Sequence, residues 1–207
     1  MFTEIKPNYL VSQMYTFDDK RSGTVETFVP NFYPNETKEL NEYMSSASKN
    51  DDRLAENYKD LDYFKFPFVT TVKRDSKIIE CGTGYTCSVY PKNTIRVMNR
   101  YYRAPTSRPT VTTEYARPSK LAVIEQQLEM AKRFNFDFAI ITRDRAKRHL
   151  TKFADALTSK SNYVWEVSDK KCLITPNDKN PRAWQYIAYT KLKDIDYDFW
   201  TQWKCID

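Results

Sequence analysis

The hydrophobic and polar positions between residues 94 and 160 change period three times. TIRVMNRYYR (94–103) is dense in residues that favour strands. A Pro- and Arg-rich stretch follows, APTSRPTVTTEYARP (104–118), which predicts a loop. In SKLAVIEQQLEMAKRFN (119–135), Leu121, Ile124, Leu128 and Ala131 recur at helical spacing. Ser119 is placed to cap that helix, because its hydroxyl can accept an orphan backbone N–H. FDFAIIT (136–142) is a continuous apolar run, as expected of a strand buried on both faces. RAKRHLTKFADALTSK (145–160) puts Ala146, His149, Leu150, Phe153, Ala154 and Leu157 on one stripe. The pattern predicts strand, loop, helix, strand, helix.

Upstream, Tyr9-Leu10-Val11 opens a strand or a short helix, and 24–29 is a clearer strand. The polar stretch 18–23 reads as a turn, with Gly23 able to take positive φ. A helix is expected from about Asn35 to Ser48, with Leu40, Tyr43, Met44 and Ala47 sharing a face. Residues 48–66 are polar and predict a loop with one short helix near 54–58. FVTTVKRD (68–75) and KIIECGTGYTCSVYP (77–91) flank Asp75-Ser76, which reads as the tight turn of an antiparallel hairpin. Gly82 and Gly84 inside the second strand predict a bulge or a close approach. Beyond the second helix, 162–169, 170–176 and 183–193 are aromatic and β-branched and predict further strands. The tail carries Phe199, Trp200 and Trp203, large rings expected to dock on the body.

Composition narrows the class. The 207 residues suit one domain, read as an N-terminal elaboration (1–66), a core (67–193) and an aromatic tail (194–207). No apolar run approaches the roughly 18 residues that span a bilayer, and the N-terminus lacks the layout of a signal peptide. A cytoplasmic protein without membrane contact is expected. The net charge of +6 favours phosphate-bearing partners, or is simply a solvated lysine surface. There are only three glycines, which argues against a Gly-rich phosphate loop. Cys81, Cys87, Cys172 and Cys205 form no C-x-x-C pair, so neither a metal site nor a disulfide framework is expected and reduced, buried thiols are. His149, the one histidine, lies on an apolar stripe and reads as a core residue.

The order helix, meander, loop, helix, strand, helix, strands resembles the GNAT superfamily of N-acetyltransferases over about residues 30–193. The resemblance implies an α+β fold, with a mixed, mostly antiparallel central sheet and helices on both faces. It implies that strands 94–102 and 136–142 splay to leave a slot for the pantetheine arm of acetyl-CoA. In the family, the loop after the first of these strands usually reads Gln/Arg-x-x-Gly-x-Gly/Ala. Here RAPTSRPTVTTEYARPSK (103–120) holds no glycine. Phosphate contacts are therefore expected from Arg103, Ser107, Arg108, Arg117, Ser119 and Lys120, with guanidiniums in place of glycine amides. If Ala146 is the family's helical alanine, Arg143 stands where the family often has Asn and Leu150 where it has Tyr.

Transfer to an amine needs a proton acceptor. Glu80, just before the Gly82–Gly84 break, is the candidate, and Tyr102 (or its neighbour Tyr101) the candidate to return a proton to the thiolate. The acceptor is then a small-molecule or peptide amine, chosen by residues 9–66 and the last strands. Two other readings stay open. One is a catalytically inactive binding or structural module of the same fold. The other is a single-stranded nucleic-acid binder, for which NRYYRAPTSR (99–108) interleaves rings with arginines.

Overall fold

The computed structural model describes residues 9–16, 22–50, 58, 61–104, 118–143, 146–196 and 198–206. Ten strands form one sheet in the order β1-β2-β3-β4-β5-β6-β9-β8-β10, with β7 also on β9. They are β1 Leu10–Thr16, β2 Ser22–Phe28, β3 Val69–Arg74, β4 Lys77–Tyr85, β5 Thr94–Arg103, β6 Phe138–Arg143, β7 Glu166–Val167, β8 Lys171–Leu173, β9 Trp184–Lys191 and β10 Cys205–Ile206. The α-helices described are α1 Pro34–Asn50, α2 Pro118–Arg133 and α3 Lys147–Lys160. Every pairing is antiparallel except β5 with β6. This is the expected α+β class, with helices on both faces.

One face carries α2 and α3. Val123, Ile124, Leu128 and Met130 of α2 and Leu150, Phe153 and Leu157 of α3 pack on Val25, Val72, Ile95, Val97, Ala139 and Ile141. The other face is covered in two patches. Leu40 and Met44 of α1 pack with Phe28, Tyr63, Val69, Ile78 and Cys81. The tail residues Phe199 and Trp203 pack with Phe138, Ile140, Ile174, Ile187 and Tyr189. Tail docking was therefore legible in its aromatic content.

A buried polar network ties α2 to the sheet. Gln127 accepts from the Met98 amide at 2.7 Å and donates to Thr70 Oγ1 at 3.0 Å. Thr70 and Thr27 share a hydrogen bond of 2.8 Å, and Gln126 joins Thr27 Oγ1 and the Val25 carbonyl. Each side-chain amide bonds through both its oxygen and its nitrogen inside the core, which sets the position of α2 over β2, β3 and β5.

Four expectations are corrected. Gly23 lies in β2 opposite Tyr15, and no described glycine has positive φ. The turn at Asp75-Ser76 is present, with φ of 49° and 59°. Ser119 follows Pro118 inside the first turn of α2 and is buried, so it is not the cap; Pro118 opens the helix, where a missing N–H costs nothing. His149 is exposed on α3, at the edge of a stripe that turns only Leu150, Phe153, Ala154 and Leu157 inward. Most of the short helix expected at 54–58 lies outside the described residues.

The fourth correction is a disulfide. β10 pairs with β8 and places Cys205 opposite Cys172, and the two are bonded. They are 33 residues apart in sequence, so no local spacing marks them. Cys81 and Cys87 remain free thiols. A loop of this length predicts a loss of about 4 kcal/mol on reduction. Peptide mapping without reductant should recover a Cys172–Cys205 cross-link, and the urea midpoint should fall when dithiothreitol is added. An unchanged midpoint would show that the bond does not staple the tail.

Candidate active site

β5 and β6 are joined over only three residue pairs, Thr94–Arg96 with Phe138–Ile140. Beyond Arg96, β5 continues to Arg103 on β4, while β6 continues to Arg143 on β9. The two edges therefore diverge and leave an opening between their C-terminal halves. No helix among the described residues is long and apolar enough to cross a membrane.

β5 is bulged along this opening. Its register on β4 shifts between Cys81 and Thr83 and again between Thr83 and Tyr85. Met98 and Arg100 adopt φ of 54° and 49°, an uncommon state for residues with a Cβ. The distortion is pinned from both sides. Gln127 takes the Met98 amide, and Thr83 and Asn99 exchange hydrogen bonds of 3.0 and 3.1 Å. The expected break at Gly82 and Gly84 falls on these shifts.

At the C-terminal end of β5, three polar side chains meet on the α2 face. Glu80, fully buried, pairs with Arg103 in the β4–β5 register. Its Oε1 lies 3.1 Å from Arg103 Nε, an ion pair without an aligned hydrogen bond. The Tyr101 hydroxyl donates to Glu80 Oε2 in a short hydrogen bond. Burial, and then the Glu80 charge, push the Tyr101 hydroxyl well above its ordinary pKa. Tyr101 therefore stays protonated and keeps donating. The first turn of α2 closes this end: Lys120 Nζ lies 5.9 Å from the Tyr101 ring centre and 4.3 Å from that of Phe153 in α3.

The structure thus brings Glu80, Arg103, Ser119 and Lys120 to one end of the opening. Tyr102 is on the opposite face, buried with its ring 6.3 Å from those of Tyr43 and Tyr58. Tyr101 is the tyrosine that touches Glu80. Ser107, Arg108 and Arg117 lie outside the described residues. Arg103, expected on phosphate, has its Nε on Glu80.

No protein-family model matches the chain, and no curated protein matches it in sequence. Solved structures do match in shape. A Klebsiella pneumoniae protein assigned as an acyl-CoA N-acyltransferase is 14% identical, with TM-score 0.49 over 83% of this chain and 98% of that one. The IAA acetyltransferase of Bacillus cereus is 8% identical, with TM-score 0.42 over 88% and 99%. The N-acetylglutamate synthase of Neisseria gonorrhoeae, solved with coenzyme A and N-acetyl-glutamate, is 7% identical with TM-score 0.39. This chain covers 61% of its own length there and spans 26% of that enzyme.

Proposed function

We propose that the chain is an N-acyltransferase that takes an acyl group from acyl-CoA and passes it to a primary amine. The observation that carries this reading is the opening between β5 and β6 beside a bulged strand, with a helix N-terminus and Lys120 at its end. A narrow amide-bearing arm suits such an opening, because strand edges offer backbone partners. The CoA phosphates would meet the first turn of α2, where the positive end of the helix dipole and Lys120 favour anions. Ser107, Arg108, Arg117 and Ser119 belong to the same stretch of chain and are proposed to complete that contact, with Arg103 holding Glu80 beside it.

The chemistry is attack of the amine nitrogen on the thioester carbonyl. A C–N bond forms, the C–S bond breaks, and the amine proton must leave. Glu80 is the proposed acceptor of that proton, directly or through water, and its Oε1 has no aligned donor. Tyr101, held protonated, keeps Oε2 in place and is better placed than Tyr102 to act with Glu80. Glu80→Gln should lower turnover by about 100-fold while leaving acetyl-CoA affinity unchanged. Turnover equal to that of the unaltered protein would remove Glu80 from the mechanism.

The glycine-free loop favours a second reading, a scaffold of the same fold that binds no CoA. Calorimetric titration with acetyl-CoA and CoA separates the two. Saturable micromolar binding is expected. No heat at millimolar ligand would overturn acyl transfer and leave the scaffold.

A further inference from the structure

We infer that Arg96 and Arg100, with Tyr58, Tyr85 and Tyr90, form an oxyanion site on the face opposite α2, so that the acceptor amine carries a carboxylate or phosphate group. This deepens the acyl-transfer reading and rests on it for the role of the site, but the site itself stands on separate observations.

The face opposite α2 is covered by the α1 patch and the tail patch, and Tyr85 packs against both. Its ring is 6.4 Å from Phe66 on one side and 6.2 Å from Tyr90 on the other. Arg96 stands opposite Tyr85 in the β4–β5 register. It is also opposite Ile140, the last rung that joins β5 to β6. Arg96 therefore marks the apex of the opening, on the side away from α2. Arg100 follows on the bulge with its side chain exposed.

Two cations thus share a seam lined by phenols. Both act on Tyr58 and Tyr85, opposing the rise that burial causes in those hydroxyls, and Arg96 also acts on Tyr90. The ion pairs among the described residues include neither arginine. Arg100 is exposed, but Arg96 is half-buried among these rings, and holding a guanidinium there without a carboxylate is costly for structure alone. It is useful for a ligand, because paired N–H donors fit a carboxylate or phosphate. The Tyr58 hydroxyl already donates to the Tyr101 carbonyl at 3.0 Å, but that of Tyr90 is buried without an aligned hydrogen-bond partner and can donate to a remaining oxygen.

Cys87 provides a built-in reporter. It is a free, half-buried thiol next to Tyr85. Cys81 is fully buried, its thiol pushed up to about 12 by desolvation, and the other two cysteines are bonded. A disulfide-exchange reagent used on the folded protein should therefore read Cys87. The probes are glycine against glycinamide, and phosphoethanolamine against ethanolamine. The anionic member of at least one pair should slow Cys87 modification saturably, by fivefold or more, and its neutral partner should not. Arg100→Gln, an exposed position that the fold tolerates, should abolish the protection, and Arg96→Gln should do the same. Equal protection within both pairs, or protection that survives in both variants, would overturn the site. The glycine and phosphate arms show which oxyanion is preferred. With acetyl-CoA present, the favoured anionic amine should be acylated at least tenfold faster, in kcat/KM, than its neutral partner. Saturable protection without acetyl-CoA binding would overturn acyl transfer and keep the anion site. Acetyl-CoA binding without any acid-to-neutral difference would overturn the anion site alone.

Discussion

Replacing Arg103 with glutamine should destabilise the fold by about 3 kcal/mol, because it strands a buried carboxylate. Glu80 is fully buried, and the Arg103 side chain beside it is only 17% exposed. Removing one partner of such a pair leaves a charge without compensation, which costs far more than the pair itself contributes. The double change Glu80→Gln with Arg103→Gln should therefore recover much of the loss. Urea unfolding of the two single variants and the double variant measures this as a coupling free energy. Losses that simply add would show that the two groups do not depend on each other. Tyr101→Phe is a milder case: Glu80 loses one donor, at a cost of about 1–2 kcal/mol. The Tyr101 hydroxyl has a folded pKa above its ordinary value of 10.0. Its contribution is thus fully present below that value and declines as pH rises above it. The stability of the unaltered protein should fall more steeply above pH 10 than that of Tyr101→Phe.

What the sequence disclosed, and what it hid, follows from the range over which each feature is encoded. The β5–α2–β6–α3 unit is written in local periodicity, and so is the Asp75-Ser76 turn. That β5 and β6 are parallel neighbours is legible one step further, since a helical crossover joins them; their splaying was expected only from the family resemblance. The face of Tyr101 and that of Tyr102 follow from alternation, since Ile95 and Val97 pack under α2 and 101 and 103 share their parity. Which of the two meets Glu80 is not legible, because it depends on the β4–β5 register, which shifts twice. The Cys172–Cys205 bond was hidden because it depends on the tail returning to pair with β8. His149 misled because it stands at the edge of the stripe: its spacing to Phe153 is helical, but only Leu150, Phe153, Ala154 and Leu157 face inward. The arginine seam was concealed in a strand rich in basic residues. Alternation puts Arg96 and Arg100 on one face of β5 and Arg103 on the other, but it does not show which tyrosines from β4 and beyond meet them.

Gly84→Ala is expected to be the most damaging single-methyl change in the sheet. An added Cβ would lie 2.4, 2.5 and 2.9 Å from three atoms of the Phe68 ring. Phe68 cannot swing away easily. It is fully buried in the core beneath α2, and its ring stacks on Phe134 at 6.4 Å. The backbone cannot retreat either, because the Gly84 amide donates to the Phe68 carbonyl at 3.0 Å. Overpacking of this kind costs about 1–3 kcal/mol or more, and the rigid ring places this site at the upper end. Gly82 makes the contrast. There an added Cβ meets Gln127 Nε2 at 3.4 Å, Tyr101 at 3.6 Å and Val123 at 3.7 Å, ordinary or nearly ordinary contacts. Gly82→Ala should therefore cost much less, under about 1 kcal/mol. If close approach of the ring is the cause, Gly84→Ala combined with Phe68→Leu should be more stable than Gly84→Ala alone, although Phe68→Leu by itself removes buried surface. A thermal melt of the four proteins decides it. A double variant no better than the single would mean that Gly84 is required for the backbone path of β4 and not for the room it leaves. The same result would weaken the link between the packing of β4 under Phe68 and the bulge that faces the proposed acyl site.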